Sequence, residues 1–175
     1  MDHRGGARGG GWGSDALSGG RRPHPFAFVL AGGLVAGTLD IAYAWAFWAL
    51  KRGVPARRIL QSVAAGLLGE SSFAGGAATA ALGLGLHFLI AISMSVAYYV
   101  VARRVPLLRQ RPLPCGVAYG LLLYLIMNYI VVPLSAAGPG SKDPLWVGLG
   151  IAVHALWVGV PIALFARRAL LRESP

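Results

Sequence analysis

The sequence predicts an all-α, polytopic membrane bundle: four transmembrane helices plus one amphipathic interfacial helix. Three observations predict it. Of the 175 residues, 56% are hydrophobic and only 13% are charged, whereas a soluble domain carries about a quarter of its residues charged. The apolar residues fall into four runs, at about 26–50, 76–102, 115–136 and 145–166, each longer than the ~20 residues a helix needs to cross a bilayer. None of the runs alternates with the period of two that a barrel strand requires. Helix is then the remaining way to satisfy a lipid-embedded backbone.

The elements follow in order. Residues 1–25 hold eight glycines with Arg4, Arg8, Arg21 and Arg22, too little apolar surface to offset the entropy of ordering them. They are expected to form a flexible basic tail. The first run, Phe26 to Leu50, has Asp40 as its only charge. Arg21 and Arg22 before it and Ala42-Tyr43-Ala44 within it imitate a signal peptide. Apolarity nevertheless continues through Trp45, Phe47 and Trp48, past the length of a signal-peptide core, which favours a retained span. Next come Lys51, Arg52, Arg57 and Arg58, then Ile59, Leu60, Val63, Leu67 and Leu68 at helical spacing, with Gln61, Ser62 and Ala65 opposite. This spacing predicts an amphipathic helix over 56–69, too short to span, lying on the membrane surface or against the bundle. Arg103-Arg104 close the second run and Arg167-Arg168 the fourth. The four spans thus define a domain over 26–168, and residues 169–175 are read as a second short tail.

Lysine and arginine set the expected orientation. The N-terminal tail, the 103–114 loop and the C-terminal tail share one side and carry eleven cations, against five on segment 51–73 and loop 138–144. Both termini are therefore placed in the cytoplasm, with Trp45, Trp48 and Trp146 at the opposite interface. The net charge of +10 follows this flanking pattern. It accompanies no base-reading module, so the expected partner is the lipid bilayer and not nucleic acid. Cys115 is the only cysteine, which excludes an intrachain disulfide and a cysteine metal framework.

Two helix pairs share a pattern. Gly83-x-x-x-His87 precedes Ala102-Arg103-Arg104, and Gly150-x-x-x-His154 precedes Ala166-Arg167-Arg168; Gly33-x-x-x-Gly37 likewise matches Gly116-x-x-x-Gly120. The correspondence, with one three-residue gap, suggests a duplicated pair of helices. Small-residue spacing of this kind also serves helix packing in any membrane bundle.

Asp40, His87, Asn128 and His154 stand out among the polar side chains inside the runs. Ionisable groups in a span are expensive and face the bundle interior or a pathway. His87 and His154 lie roughly 15 Å from the Trp-rich end of their helices at ~1.5 Å per residue, and Asp40 and Asn128 fall in the same slab. Gly33, Gly37, Asp40 and Ala44 share one stripe, as do Gly83, His87, Ala91 and Ser95. Asp40 and His87 are therefore expected to pair, directly or through a water. Pro133 and Pro161, late in the third and fourth runs, predict bends.

Three functional readings stay open at this level. The polar set is architectural in a structural or accessory membrane protein, or it serves a small proton- or ion-linked transporter or channel, or His87 and His154 hold a metal or haem. The first assigns no cofactor. The second admits a homo-oligomer, since four short helices enclose little volume. No HExxH, Gly-rich phosphate loop or triad spacing suggests an enzyme. The stretch Leu82–Arg104, with Tyr119-Gly120, Met127-Asn128-Tyr129, Pro133-Leu134-Ser135 and His154 to Arg168, resembles small bacterial inner-membrane proteins of the YagU-like family over about residues 28–170. The resemblance excludes the amphipathic segment at 55–72. It implies an inner-membrane location and helical spans, and no catalytic residue.

Overall fold

A computed structural model describes residues 24–173. The expected N-terminal tail lies, but for its last two residues, outside the described residues. The element order is α1 (Pro25–Arg52), α2 (Ala56–Leu68), a 3-10 turn (Gly69–Ala74), α3 (Gly76–Arg104), the short α4 (Pro106–Gln110), α5 (Pro112–Leu134) and α6 (Pro144–Glu173). Among the described residues there is no strand, and α1, α3, α5 and α6 are long and apolar enough to cross a membrane. They are the four predicted spans.

Local chemistry sets the helix ends. Pro25 opens α1 at a position whose N–H would be unpaired in any case, and the His24 side chain accepts from Phe26 N–H. Gly53, at φ 66°, closes α1 in the left-handed conformation, with Lys51 and Arg52 in the last turn, where cations complement exposed carbonyls. Asp143 caps α6 by accepting from the N–H groups of Leu145 and Trp146 at 3.0 and 3.2 Å.

The spans alternate in direction, which brings His24 and Glu173 to one end. That end carries Arg103, Arg104, Arg109, Arg111, Arg167, Arg168 and Arg172; the other carries Trp48 and Trp146. We call them the basic and the aromatic end. α1 and α6 lie side by side at the centre, with α3 and α5 flanking them.

Glycine makes the closest contacts. A Cβ on Gly33 would lie 2.7 Å from Ile92 Cα, and one on Gly120 would lie 2.0 Å from the His154 carbonyl oxygen. Gly33 and Gly37 thus pack α1 on α3 much as Gly116 and Gly120 pack α5 on α6. Gly83, grouped with these in the sequence, instead receives α2: its Cβ would lie 1.9 Å from the Leu60 carbonyl oxygen. Gly150 meets only the Tyr124 ring.

The core fills the basic half, where Val29, Tyr98, Tyr99, Ile162, Ala166 and Leu170 are buried together. Ser95 Oγ donates to the Val29 carbonyl at 2.7 Å. Such bonds average about 0.6 kcal/mol within membranes, so packing contributes more to joining these helices.

At three places the structure adds to or departs from the expectations. The C-terminal tail expected from residue 169 continues as helix to Glu173, with Ala169 and Leu170 buried. Glu173 accepts from Tyr99 Oη and lies 3.7 Å from Arg103 Nε, so polar contacts with α3 extend the helix beyond its apolar run. On α2, Ile59 of the expected apolar stripe is buried and Ser62 of the polar set is exposed, but Gln61 and Ala65 are buried and Leu67 and Leu68 exposed. Gln61 Nε2 donates to the Gly76 carbonyl at 3.0 Å and to Thr79 Oγ1 at 3.3 Å, and the Gln61 backbone carbonyl accepts from Ser72 Oγ. Binding the start of α3 satisfies the amide and leaves the leucines outward. Finally, the bends expected at Pro133 and Pro161 take the form of π-helical segments, Met127–Val131 and His154–Gly159, just ahead of each proline. Proline lacks an N–H and its ring crowds the carbonyl four residues back, and the wider turn relieves both.

Candidate functional site

In the aromatic half the four spans separate around a cavity of about 320 Å³. Its floor is formed by Ala36, Met94 and Val158, just above the basic-end core. Asp40, His87, Asn128 and His154 all line it. Sequence reasoning placed these residues at one depth, and the fold brings them to one space. Both π-helical segments border it: Asn128 lies in the first and His154 opens the second. Segments of this kind are frequent at functional sites.

The expected Asp40–His87 pair does not form. His87 Nε2 instead reaches the Gly37 carbonyl across the helix pair, at 2.8 Å. Gly37 packs so closely on Phe88 and Ala91 that its carbonyl, one turn before Asp40, meets the imidazole first. Asp40 faces His154: Oδ1 to Nδ1 is 3.8 Å, too long for a hydrogen bond and an ion pair only when the imidazole is protonated. That same Nδ1 lies 3.0 Å from the Gly150 carbonyl on its own helix. Asn128 Nδ2 donates to the Tyr124 carbonyl at 2.9 Å.

Carbonyl oxygens accept and do not donate, so these contacts assign the protons. His87 bonds through an Nε2 proton and His154 through an Nδ1 proton, and in the neutral form of each ring the second nitrogen keeps a lone pair. The Asn128 amide is oriented by its bond to Tyr124, which leaves Oδ1 without a protein partner. No protein hydrogen bond reaches the Asp40 carboxylate among the described residues. Among the described residues, no buried side-chain nitrogen or oxygen lacks a partner. The free atoms of Asp40, His87 and His154 therefore open on accessible space, and Asn128 is itself exposed.

The mouth is aromatic. Tyr43 stacks on Trp146 with ring centres 5.2 Å apart and donates to the Trp146 carbonyl at 3.3 Å. Trp48 lies 5.4 Å from the Trp146 ring. Just outside, Lys51 and Asp143 form an ion pair that ties the end of α1 to the start of α6. The hydrogen bond from Lys51, helped by the Trp146 and Leu145 N–H groups, holds the Asp143 carboxyl below the usual aspartate range. Trp48 and Trp146 carried an interfacial signal in the sequence. Their stacking partner Tyr43 and the Lys51–Asp143 pair, 92 residues apart, carried none.

One side of the cavity is open. α3 and α5 barely touch: Tyr119 Oη donates to the Met94 carbonyl and the Tyr98 and Tyr119 rings meet. α2 reaches the third span's end only where Ala136 N–H donates to the Gly66 carbonyl. Ser62 on α2 and Asn128 on α5, both exposed, stand on opposite sides of this gap. Among the described residues, no three His, Cys, Asp or Glu side chains come together as metal ligands. No protein-family model, curated protein or solved structure matches the chain.

Proposed function

We propose that this protein is a small proton-linked membrane transporter whose substrate site is the cavity around Asp40, His87, Asn128 and His154. One observation carries the reading: the four polar side chains open on a common space and do not bond to one another. An architectural role would tie spans together through these groups. Only His87 does so, through the Gly37 carbonyl, whereas Asn128 and His154 bond carbonyls of their own helices. A polar group in a span is kept against a cost of about 2.5–3.5 kcal/mol for a central aspartate, and the bonds formed here do not account for that retention.

Asp40 and His154 supply the proton linkage. At 3.8 Å, a proton held between carboxylate and imidazole competes with any cation that approaches the carboxylate. The other titratable side chains lining the cavity are His87, Tyr43 and Tyr124. The ion pairs at the two ends, Lys51 with Asp143 and Arg103 with Glu173, join different helices and would have to exchange as access alternates. The arginine-rich end supports placement of both termini in the cytoplasm, and the resemblance to YagU-like proteins supports a bacterial inner membrane.

The test is reconstitution into liposomes loaded with a pH-sensitive dye. Potassium, a small amine and a small carboxylic acid are offered separately across an imposed gradient. One solute class is expected to move protons, and Asp40→Asn and His154→Leu should each abolish that movement. Solute-dependent proton movement unchanged in both variants, or none for any class, would overturn the reading.

A further inference from the structure

We infer that the cavity selects a compact organic ammonium ion with an apolar or aromatic body, entering sideways from the bilayer. This deepens the transporter reading and rests on it.

The charge of the ligand follows from the lining. Asp40 is the only carboxylate there, and neither lysine nor arginine contributes. A carboxylate that accepts no protein hydrogen bond and faces only the His154 imidazole, at 3.8 Å, is most readily compensated by a cation.

Donor count narrows the class further. His87, His154 and Asn128 direct their donors at backbone carbonyls, and so do Ser62, to Ile59 at 2.7 Å, and Tyr43, to Trp146. Asp40, His87, His154, Ser62 and Tyr43 keep acceptors for a ligand, whereas Asn128 keeps one N–H and the Tyr124, Trp48 and Trp146 side chains add donors at the wall. Acceptors grouped around a carboxylate match a head with several N–H donors. A carboxylate or phosphate ligand would meet the like charge of Asp40.

The walls set the body. Rings of Tyr43, Tyr124, Trp48 and Trp146 line the space; aromatic faces attract organic cations and pack on apolar groups. The volume of about 320 Å³ lies at the low end of the range for small-molecule sites, about 300–1,000 Å³. An alkali ion would leave most of it unfilled. The gap between α2 and α5 is lined by Ile59, Ser62 and Val63 on one side and Met127, Asn128 and Val132 on the other, so that four of the six flanking residues are apolar. An amphiphilic amine already dissolved in the membrane interface can enter there, passing Asn128 before it reaches Asp40.

The experiment uses the purified full chain in detergent, with thermal unfolding followed as each of three probes is titrated at pH 7.5. Benzylamine, benzyl alcohol and benzoate share a ring and differ in head group: ammonium, neutral hydroxyl and carboxylate. Benzylamine is expected to raise the unfolding temperature with half-saturation at least about tenfold below that of the other two, as a site built around specific hydrogen bonds requires. In Asp40→Asn the preference for the amine over the alcohol should vanish. The comparison among probes on the unaltered protein stands whether or not that variant folds. Benzyl alcohol or benzoate matching the amine would preserve a ligand cavity and overturn its selectivity. No shift with any probe would overturn both this inference and the cavity's role as a substrate site.

Discussion

Replacing Gly120 by alanine perturbs the contact that holds α5 against α6 beside His154. The new Cβ would sit 2.0 Å from the His154 carbonyl oxygen and 2.7 Å from both the His154 carbonyl carbon and Ala155 Cα. All three are backbone atoms, so no rotamer relieves the clash and the helices must part by more than an ångström locally. Overpacking of this kind costs about 1–3 kcal/mol, while replacing a helical glycine by alanine returns up to about 1 kcal/mol. Net destabilisation of about 0–2 kcal/mol follows. Gly85→Ala on α3 is the control: nothing lies within 4 Å of its added Cβ, so only the propensity gain applies. That gain is common to both variants, which should therefore differ by the overpacking cost of about 1–3 kcal/mol, or roughly 2–12 °C in melting temperature at ~2–4 °C per kcal/mol for a chain of this size. The assay is thermal unfolding in one detergent, followed by tryptophan fluorescence. Gly120→Ala melting at or above Gly85→Ala would refute the close α5–α6 contact and with it the position of His154.

Three further outcomes follow from the geometry. Stability losses for Asp40→Leu and His154→Leu should be non-additive in a double-mutant cycle, and those for Asp40→Leu and His87→Leu additive, because the carboxylate faces His154 and His87 is engaged by the Gly37 carbonyl; the reverse pattern in detergent melts would contradict this pairing. The Asp143 carboxyl is held below its ordinary value, so its contribution is present above the unfolded aspartate pKa of about 3.9 and is lost as pH falls through the lower folded value. Melts from pH 6 to pH 3 should show wild type more stable than Asp143→Asn at the upper end and the gap closing at the lower; a gap constant with pH would exclude the ion pair as its source. Reporter fusions after residues 108 and 175 should both read cytoplasm and one at residue 141 the opposite side, and a cytoplasmic signal at 141 would overturn the topology.

The spans were legible because length and apolarity alone decide them. The slab of polar residues was legible too, since helix rise converts sequence position into depth. Which groups meet was not. Asp40 and His87 share small-residue stripes, and stripe logic pairs them, but the contact turns on the Gly37 carbonyl, a backbone atom to which side-chain patterns are blind. The outward placement of Gln61 on α2 failed for a related reason. A hydropathy stripe ranks Gln61 as outward, whereas the start of α3 offers its amide a carbonyl and a hydroxyl acceptor. Proline marked where α5 and α6 depart from regular helix but not how. A π segment holds one residue more than a regular turn, so the faces before and after it differ by roughly 100°, one residue of helical rotation.

That offset connects packing with the site. Toward the basic end, α6 presents Ile162, Ala163 and Ala166 to the core, all fully buried. Beyond the π segment it presents Gly150 and His154 to the cavity instead. α5 departs in the same way at Asn128 and ends at Leu134, so it leaves the outer part of its side to α2, which is only 13 residues long and is anchored to α3 at Gly83. The cavity is the space these two interrupted walls leave between them. Close glycine contacts at Gly33, Gly37, Gly116 and Gly120 hold the spans together, and of the four polar groups His87 alone adds a hydrogen bond across them, to the Gly37 carbonyl. Asp40 and His154 are consequently free of any interhelical hydrogen bond, and a change in what Asp40 binds can alter the α1–α6 relation through His154 while the basic-end core stays packed.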